Sequence, residues 1–457
     1  MAHPTIVLNV VGLNSALLAH APRMSAFAGR HAVTRLRPVL PAVTCSVQAS
    51  MLTGKPPRDH GVVANGWFDR ELAEVHFWKQ SNRLVDGGKV WHAARRRDAG
   101  LTTAQLFWWF NMYAEVEWSI TPRPIYKADG RKVPDCYSEP ESLRTELTAK
   151  LGRFPLFNFW GPMSNIGSSR WIAEAAKHVL AAHRPTLALV YLPHLDYGLQ
   201  KLGPDHADVP AHVAEIDAVV GDLIDAGEAA GYRVMIVSEY GIEPVESAVA
   251  PNRALREAGL VRIRVEDGGE LLDPGASRAF AVADHQVAHV YVRDEADLPR
   301  AKGLCRGLAG VERVLDREAQ AAEGLDHPRS GELVLVAEAG RWFSHDYWLD
   351  DARAPDFQRT VEIFRKPGFD PRELFIDPAI RLPKLKLAAK LIRKRLGFRT
   401  LFDVVPLDAS LVRGSHGRVE QPPDARPVMI GAASGASGSA EVPCLAVHDE
   451  IMRRLFE

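Results

Sequence analysis

Three largely continuous apolar runs, Thr5–Val11, Leu187–Tyr191 and Arg233–Val237, read as strands of a parallel sheet covered on both faces. Between the last two, Val213, Ile216, Val219, Val220, Leu223 and Ile224 recur at helical spacing. That predicts a helix over Val209–Glu228 and a right-handed strand–helix–strand crossover. Ala32–Val39 is a further strand-like run, ended by Pro41, which cannot continue a strand interior. Thr44–Leu52 then predicts a helix, with Thr44 near its N-cap and Gly54 as its stop. Asp196 and Glu239 follow the ends of two strands, on the edge where the turn at Thr44 is expected. Beyond position 250 the β-like run Ala281–Val292, a helix after Asp297 and the strand Leu333–Ala337 predict a second subdomain. The expected organisation is an α/β core over residues 1–250 and 400–457, an inserted α+β cap over 251–349, and a basic insertion over 350–399. The stretch Gly431-Ala-Ala-Ser-Gly-Ala-Ser-Gly438 reads as a short loop.

Composition narrows the classes. With 457 residues, 46% hydrophobic and 25% charged, the chain is an ordinary globular protein with ample core. A net charge of -1 gives no overall steering toward a nucleic-acid polymer. Cys45, Cys136, Cys305 and Cys444 are scattered, with no C-x-x-C pair, and read as free thiols of a reducing compartment. The N-terminus leads straight into a strand, without a basic n-region, and no apolar run reaches membrane-spanning length. A cytoplasmic location is the expectation.

The chemistry centres on Thr44. A hydroxyl at a helix start faces unpaired backbone N–H groups and the positive end of the helix, a favourable place for a phosphate. The plain alternative is an ordinary threonine cap. Several segments decide between them. Pro41-Ala-Val-Thr44 and His60-Gly-Val-Val-Ala-Asn65 are followed in order by Asp196-Tyr-Gly-Leu-Gln200-Lys-Leu-Gly-Pro204 and Ser238-Glu-Tyr-Gly241. Gly331-Glu-Leu-Val-Leu-Val336 and Gly414-Ser-His416-Gly417 complete the series. Together they resemble the type I phosphodiesterase/nucleotide pyrophosphatase family of the alkaline phosphatase superfamily, over nearly the whole chain. The resemblance implies an alkaline phosphatase-like fold: a mostly parallel sheet with helices on both faces and a smaller inserted cap. It implies Thr44 as nucleophile and Asn65 as the group holding a phosphoryl oxygen. It also implies metal-dependent hydrolysis of a phosphodiester or pyrophosphate bond through a phosphothreonine.

Departures from the family pattern fall on its two metal sites. Where the family has Asp, Asp and His beside the threonine, this chain has Val11, Glu239 and Tyr240. Where it has Asp, His and His, this chain has Asp196, Gln200 and His416. Asp196, Glu239 and His416 are therefore the expected ligands, for one or two divalent ions. The oxygen-rich set favours Mg or Mn over the family's usual Zn. Asp284-His285, His194 and Asn14 are candidate replacement ligands, although each equally reads as a cap or a local pair. Cys45 shows no pattern of a cysteine nucleophile.

Two features bear on partners. Trp108-Trp-Phe-Asn-Met-Tyr113 reads either as core or as a surface on which a base stacks. Leu382–Leu396 is by pattern a basic amphipathic helix, suited to an anionic membrane surface or a lipid substrate. Its alternative is a solvated helix with its apolar face on the domain. The expected ligand is a small phosphorylated molecule and not a nucleic-acid polymer. A silent relative that only binds such a ligand or a partner protein, and a phosphonate or sulfate ester hydrolase, are the competing readings.

Overall fold

The computed structural model describes residues 2–398, 400–432 and 441–457. Residues 433–438 of the expected loop thus lie outside the described residues. At the centre is β1 (Thr5–Val10), wholly buried, paired in parallel with β2 (Leu187–Leu192) on one side and β3 (Arg233–Val237) on the other. These are the three apolar runs of the sequence, and they lack alternation because helices cover both faces. The full sheet has nine strands. Their spatial order is Glu441–Pro443, Ala32–Arg37, Val428–Ala432, β3, β1, β2, Thr103–Leu106, Trp118–Pro122 and Cys136–Glu139. Five of the eight neighbouring pairs are parallel; the three antiparallel ones involve Val428–Ala432 and Cys136–Glu139.

Four helices bear on the chemistry and the surface of the protein: α1 (Thr44–Thr53), α2 (His194–Leu202), α3 (Val209–Ala229) and α4 (Pro383–Arg395). Helix α1 is buried along its whole length and ends at Gly54, whose left-handed φ of 67° is the stop the sequence announces. Helix α3 buries the expected stripe, from Val213 to Ile224, and returns the chain to β3. A second sheet, in the order Ala279–Asp284, Val287–Val292, Leu333–Ala337, Val311–Leu315, is antiparallel throughout. The single run Ala281–Val292 is thus a hairpin, and its two-residue tip, His285-Gln286, meets His416, whose backbone O accepts from Gln286 N at 2.8 Å. His285 has φ of 58°, a left-handed conformation that a non-glycine residue holds only when its surroundings fix it.

The four cysteines are buried and unpaired, as the sequence leads one to expect. Trp108, Trp109, Phe110 and Met112 are core, and only Tyr113 of that segment is exposed. Among the described residues no helix is long and apolar enough to cross a membrane.

Candidate active site

The carboxyl ends of β1, β2 and β3 meet the start of α1, and the chemistry collects there. Thr44 is the first residue of α1, not its cap; Val43, in extended conformation, occupies that position. The hydroxyl is therefore free for other partners. It lies 2.9 Å from the Tyr240 hydroxyl. The tyrosine in turn donates to Asp196 Oδ1 at 3.4 Å. A phenol has one proton, so with that proton directed at Asp196 the threonine is the donor in the first contact.

Asn65 sits beside this pair. Its Oδ1 accepts from Cys45 N at 2.9 Å, satisfying one of the orphan N–H groups at the start of α1. Its backbone N–H and Nδ2 donate to the two oxygens of Asp284, at 2.7 and 3.1 Å. Gly61 makes the turn that leads to it, at φ of 74°, after His60 anchors to Ser50 Oγ at 2.8 Å. His285 Nδ1 lies 2.7 Å from Asp284 Oδ1, and its ring is 3.7 Å from the His416 ring. The opposite face of His416 carries the Tyr240 ring, parallel at 3.6 Å. Threonine, tyrosine, aspartate, two histidines and asparagine thus form a ring of contacts about the start of α1.

Glu239 lies on the other side of Thr44. Its Oε1 accepts from Asn9 Nδ2 at 2.6 Å and from Gln48 Nε2 at 2.5 Å, and Gln48 is held by Trp109 N at 2.6 Å. Neither Asn9 nor Gln48 stands out in a motif, although an amide inside the apolar strand Thr5–Val10 is a visible signal. Burial raises the Glu239 carboxyl to about 8, with Gln48, Asn9 and Thr44 pulling it back down. Burial likewise raises Asp196 to about 7 and Asp284 to about 6. It holds His285 and His416 far below the ordinary histidine value, hence neutral. No lysine or arginine acts on Asp196 or Glu239.

That electrostatic picture tests the expected metal. His416 Nδ1 donates to Ala42 O at 2.8 Å, which leaves the Nε2 lone pair free. Nε2 is buried without a hydrogen-bond partner, 3.7 Å from Asp196 Oδ1. Glu239 Oε2 and Gln200 Oε1 are also buried and unpartnered. Among the described residues, however, Asp196, Glu239 and His416 do not bring their donor atoms all within 4.8 Å of one another, so as placed here the expected set does not close around one cation. The set beside Thr44 does not make a second site: Val11 offers no ligand atom, and the Tyr240 hydroxyl is engaged by Thr44 and Asp196.

Two candidate replacements fall elsewhere. Asn14 caps the short helix Ser15–Leu18, its Oδ1 accepting from Leu17 N at 2.9 Å. His194 turns away from Asp196 on the first turn of α2, and its Nε2 meets Glu215 of α3 at 3.0 Å. The sequence placed it on a strand end, where two-residue spacing would share a face; in a helix that spacing separates the side chains. His285, by contrast, joins the site, with Nε2 buried and unpartnered.

Next to the histidines is a narrow cleft lined by Trp78, Trp160, Lys366, Phe369, Asp370 and Glu373. Phe369 stacks on His285 at 3.7 Å and connects cleft to site.

With this arrangement the chain can be placed. The model of the type I phosphodiesterase / nucleotide pyrophosphatase family matches residues 5–370, so the chain belongs to that family, whose members are hydrolases. A pyrophosphatase/phosphodiesterase of Schizosaccharomyces pombe, itself uncharacterized, is 23% identical over 252 residues. That match covers 52% of this chain and 44% of the relative's length, so this chain aligns with under half of it. Among solved structures, murine ectonucleotide pyrophosphatase/phosphodiesterase 5, as an inactive variant with AMP, superposes with a TM-score of 0.60. It is 13% identical and aligns over 99% of this chain and 94% of its own. Phosphonoacetate hydrolase from Sinorhizobium meliloti, with phosphonoformate, gives 0.62 at 16% identity, over 98% and 95%. At such identities these likenesses establish the fold, which is the α/β, alkaline phosphatase-like one.

Proposed function

We propose that this chain hydrolyses a phosphodiester or pyrophosphate bond in a small phosphorylated molecule, with Thr44 as nucleophile. The observation that carries the reading is the Thr44 hydroxyl, uncapped at the start of α1 and hydrogen-bonded to Tyr240 at 2.9 Å. In the reaction Thr44 Oγ forms a bond to phosphorus while the bond to the leaving oxygen breaks, and water then cleaves the phosphothreonine. As Oγ attacks, its proton passes to the Tyr240 oxygen while the Tyr240 proton passes on to Asp196 Oδ1, along contacts of 2.9 and 3.4 Å, and the Oγ lone pair is left for phosphorus. The Asn65 amide and the N–H groups of α1 receive the charge that develops on the phosphoryl oxygen. Asp196, His416 and the free oxygen of Glu239 are the residues that would hold a divalent ion, Mn, Mg or Zn, once drawn closer together than they stand here, with His285 beside His416. When bound, such an ion supplies Lewis-acid neutralisation of phosphoryl charge. The four unpaired thiols favour the cytoplasm as the compartment.

A second reading has its own observation. Val11 and Tyr240 stand where the family places an aspartate and a histidine, so a silent relative that only binds a phosphorylated ligand is the competitor. The fold likeness to phosphonoacetate hydrolase adds phosphonate esters to the substrates worth testing. Elemental analysis of the purified protein, with turnover of bis-nitrophenyl phosphate under added Mn, Mg and Zn, separates these. Phosphonate and sulfate ester substrates are assayed in parallel. Bound metal and metal-dependent cleavage, abolished by Thr44→Ala, is the expected result. No turnover of any ester under any ion would overturn it in favour of binding alone.

A further inference from the structure

The segment between Phe375 and Val405, whose ends are tied by Asp377 N donating to Val404 O at 2.7 Å, carries α4, which is mostly exposed. Its amphipathic pattern is oriented opposite to that of a helix packed on its own domain. Lys386 and Lys390 turn inward: Lys386 Nζ donates to Asp403 O at 3.1 Å, and Lys390 Nζ meets Asp403 Oδ1 at 2.5 Å and Leu401 O at 2.7 Å. Leu382, Leu385, Ile392 and Leu396 turn outward, each between 58 and 70% exposed. With Ala389, also exposed, they recur at intervals of three and four residues and fall within an arc of about 80° at 100° per residue. Phe398 and Leu401 extend the exposed apolar surface past the helix end. Burying this stripe on the domain is what amphipathicity ordinarily accomplishes. Here the polar face does the anchoring and the apolar face meets solvent.

Charge decides what covers it. Residues 381–399 contain eight lysines and arginines and no acid, in a chain whose net charge is -1. Lys384, Arg393 and Arg395 flank the stripe and are exposed. An apolar strip bordered by cations, long enough to lie in a plane but too short and too charged to span a bilayer, matches an interfacial helix. We infer that α4 is a docking surface for an anionic lipid bilayer, with the leucine stripe seated among the acyl chains and the basic flanks among the headgroups. The surface stands whether or not the chain cleaves phosphate esters.

The test is co-sedimentation of the full-length protein with vesicles of phosphatidylcholine alone or with about one-third phosphatidylglycerol. Partition onto the anionic vesicles is expected to exceed that onto neutral ones by about tenfold or more. Leu385→Asp with Ile392→Asp should lower it by about tenfold or more, and Lys384→Glu with Arg395→Glu should do the same. All four positions are exposed, so the far-UV circular dichroism and melting temperature report that the variants are folded. Leu385→Ala with Ile392→Ala offers a milder pair, expected to weaken partition in the same direction. Equal partition onto both vesicle types, or none, would overturn the inference. So would a dimer in sedimentation velocity that Leu385→Asp with Ile392→Asp dissociates while vesicles fail to bind, since a second copy would then cover the stripe.

Discussion

The Thr44 hydroxyl is 2.9 Å from the Tyr240 hydroxyl, and the Tyr240 ring lies parallel to His416 at 3.6 Å. One side chain therefore orients the proposed nucleophile and also walls one face of a proposed ligand. Tyr240→Phe separates the two roles, since it deletes the hydroxyl and keeps the ring. It is expected to lower kcat by about tenfold to a hundredfold with little change in KM, because positioning is lost while ground-state binding remains. An unchanged kcat would remove Tyr240 from the mechanism. Thr44→Ala is expected to abolish turnover while a phosphorylated ligand still binds.

Metal content follows from the donor set. His416 Nε2 and Glu239 Oε2 keep buried donor atoms without partners and Asp196 lies beside His416, whereas Val11 offers no side-chain donor and Tyr240 is engaged by Thr44. The expected stoichiometry is one divalent ion per chain, dropping to near zero in His416→Ala. Two tightly held ions in the native protein would contradict this account. The three buried carboxyls near Thr44 give the same expectation another form. An ion beside them offsets the cost of their burial, so added Mn or Mg should raise the melting temperature of the metal-free protein.

The strands and the helices flanking the site were legible because their signals are local. The apolar runs at Thr5, Leu187 and Arg233 can only be buried strands, and Gly54 ends α1 at the residue its chemistry favours. Thr44 and Asn65 could be found because each lies in a short motif. What the sequence could not show was long-range pairing. Nothing near Glu239 in the chain says that Asn9 and Gln48, 230 and 191 positions away, hold its carboxyl. Nor does the sequence decide that Ala281–Val292 folds back on itself at His285, which is what carries that imidazole to His416. The helix at Pro383 was legible as an amphipathic element, but which face turns inward depends on Asp403.

The cleft beside the site rests on a buried ion cluster that no motif announces. Arg372 pairs with Asp346 at 2.7 Å and with Asp370 at 2.6 Å, and Lys366 pairs with Asp370 at 2.8 Å and Glu373 at 2.7 Å. Burial alone would raise the Asp370 carboxyl, but Arg372 and Lys366 outweigh it and hold it far below the usual range. Asp370→Asn leaves two buried cations short of a partner and is expected to cost about 3–5 kcal/mol in urea unfolding. Because the folded-state value is depressed, the carboxylate's contribution is present above its unfolded value near 3.9 and fades as pH falls below it. The native protein should therefore lose stability below about pH 4 more steeply than the variant does. Parallel acid profiles would sink the assignment.

His289 links the second sheet to the active-site turn. Its Nε2 donates to Val63 O at 3.1 Å, two residues before Asn65, and its Nδ1 accepts from Gly331 N at 3.1 Å. Both nitrogens are satisfied only in the neutral ring, and a proton on Nδ1 would face the Gly331 N–H. Burial pulls the folded-state value down to about 4, against the bond to Val63, which raises it. The unfolded chain binds its proton at about 6.5, so it gains protons first as pH falls. Stability contributed by the neutral ring is thus complete above about pH 6.5 and lost progressively down to about 4, a change of about 3 kcal/mol. His60 and His194 are also held low by burial, so the single-residue effect is read as a difference. In His289→Asn the loss of unfolding free energy between pH 6.5 and 4 should be smaller than in the native protein by about 3 kcal/mol. If the two profiles run together, His289 is not the residue through which mild acid loosens the segment that positions Asn65.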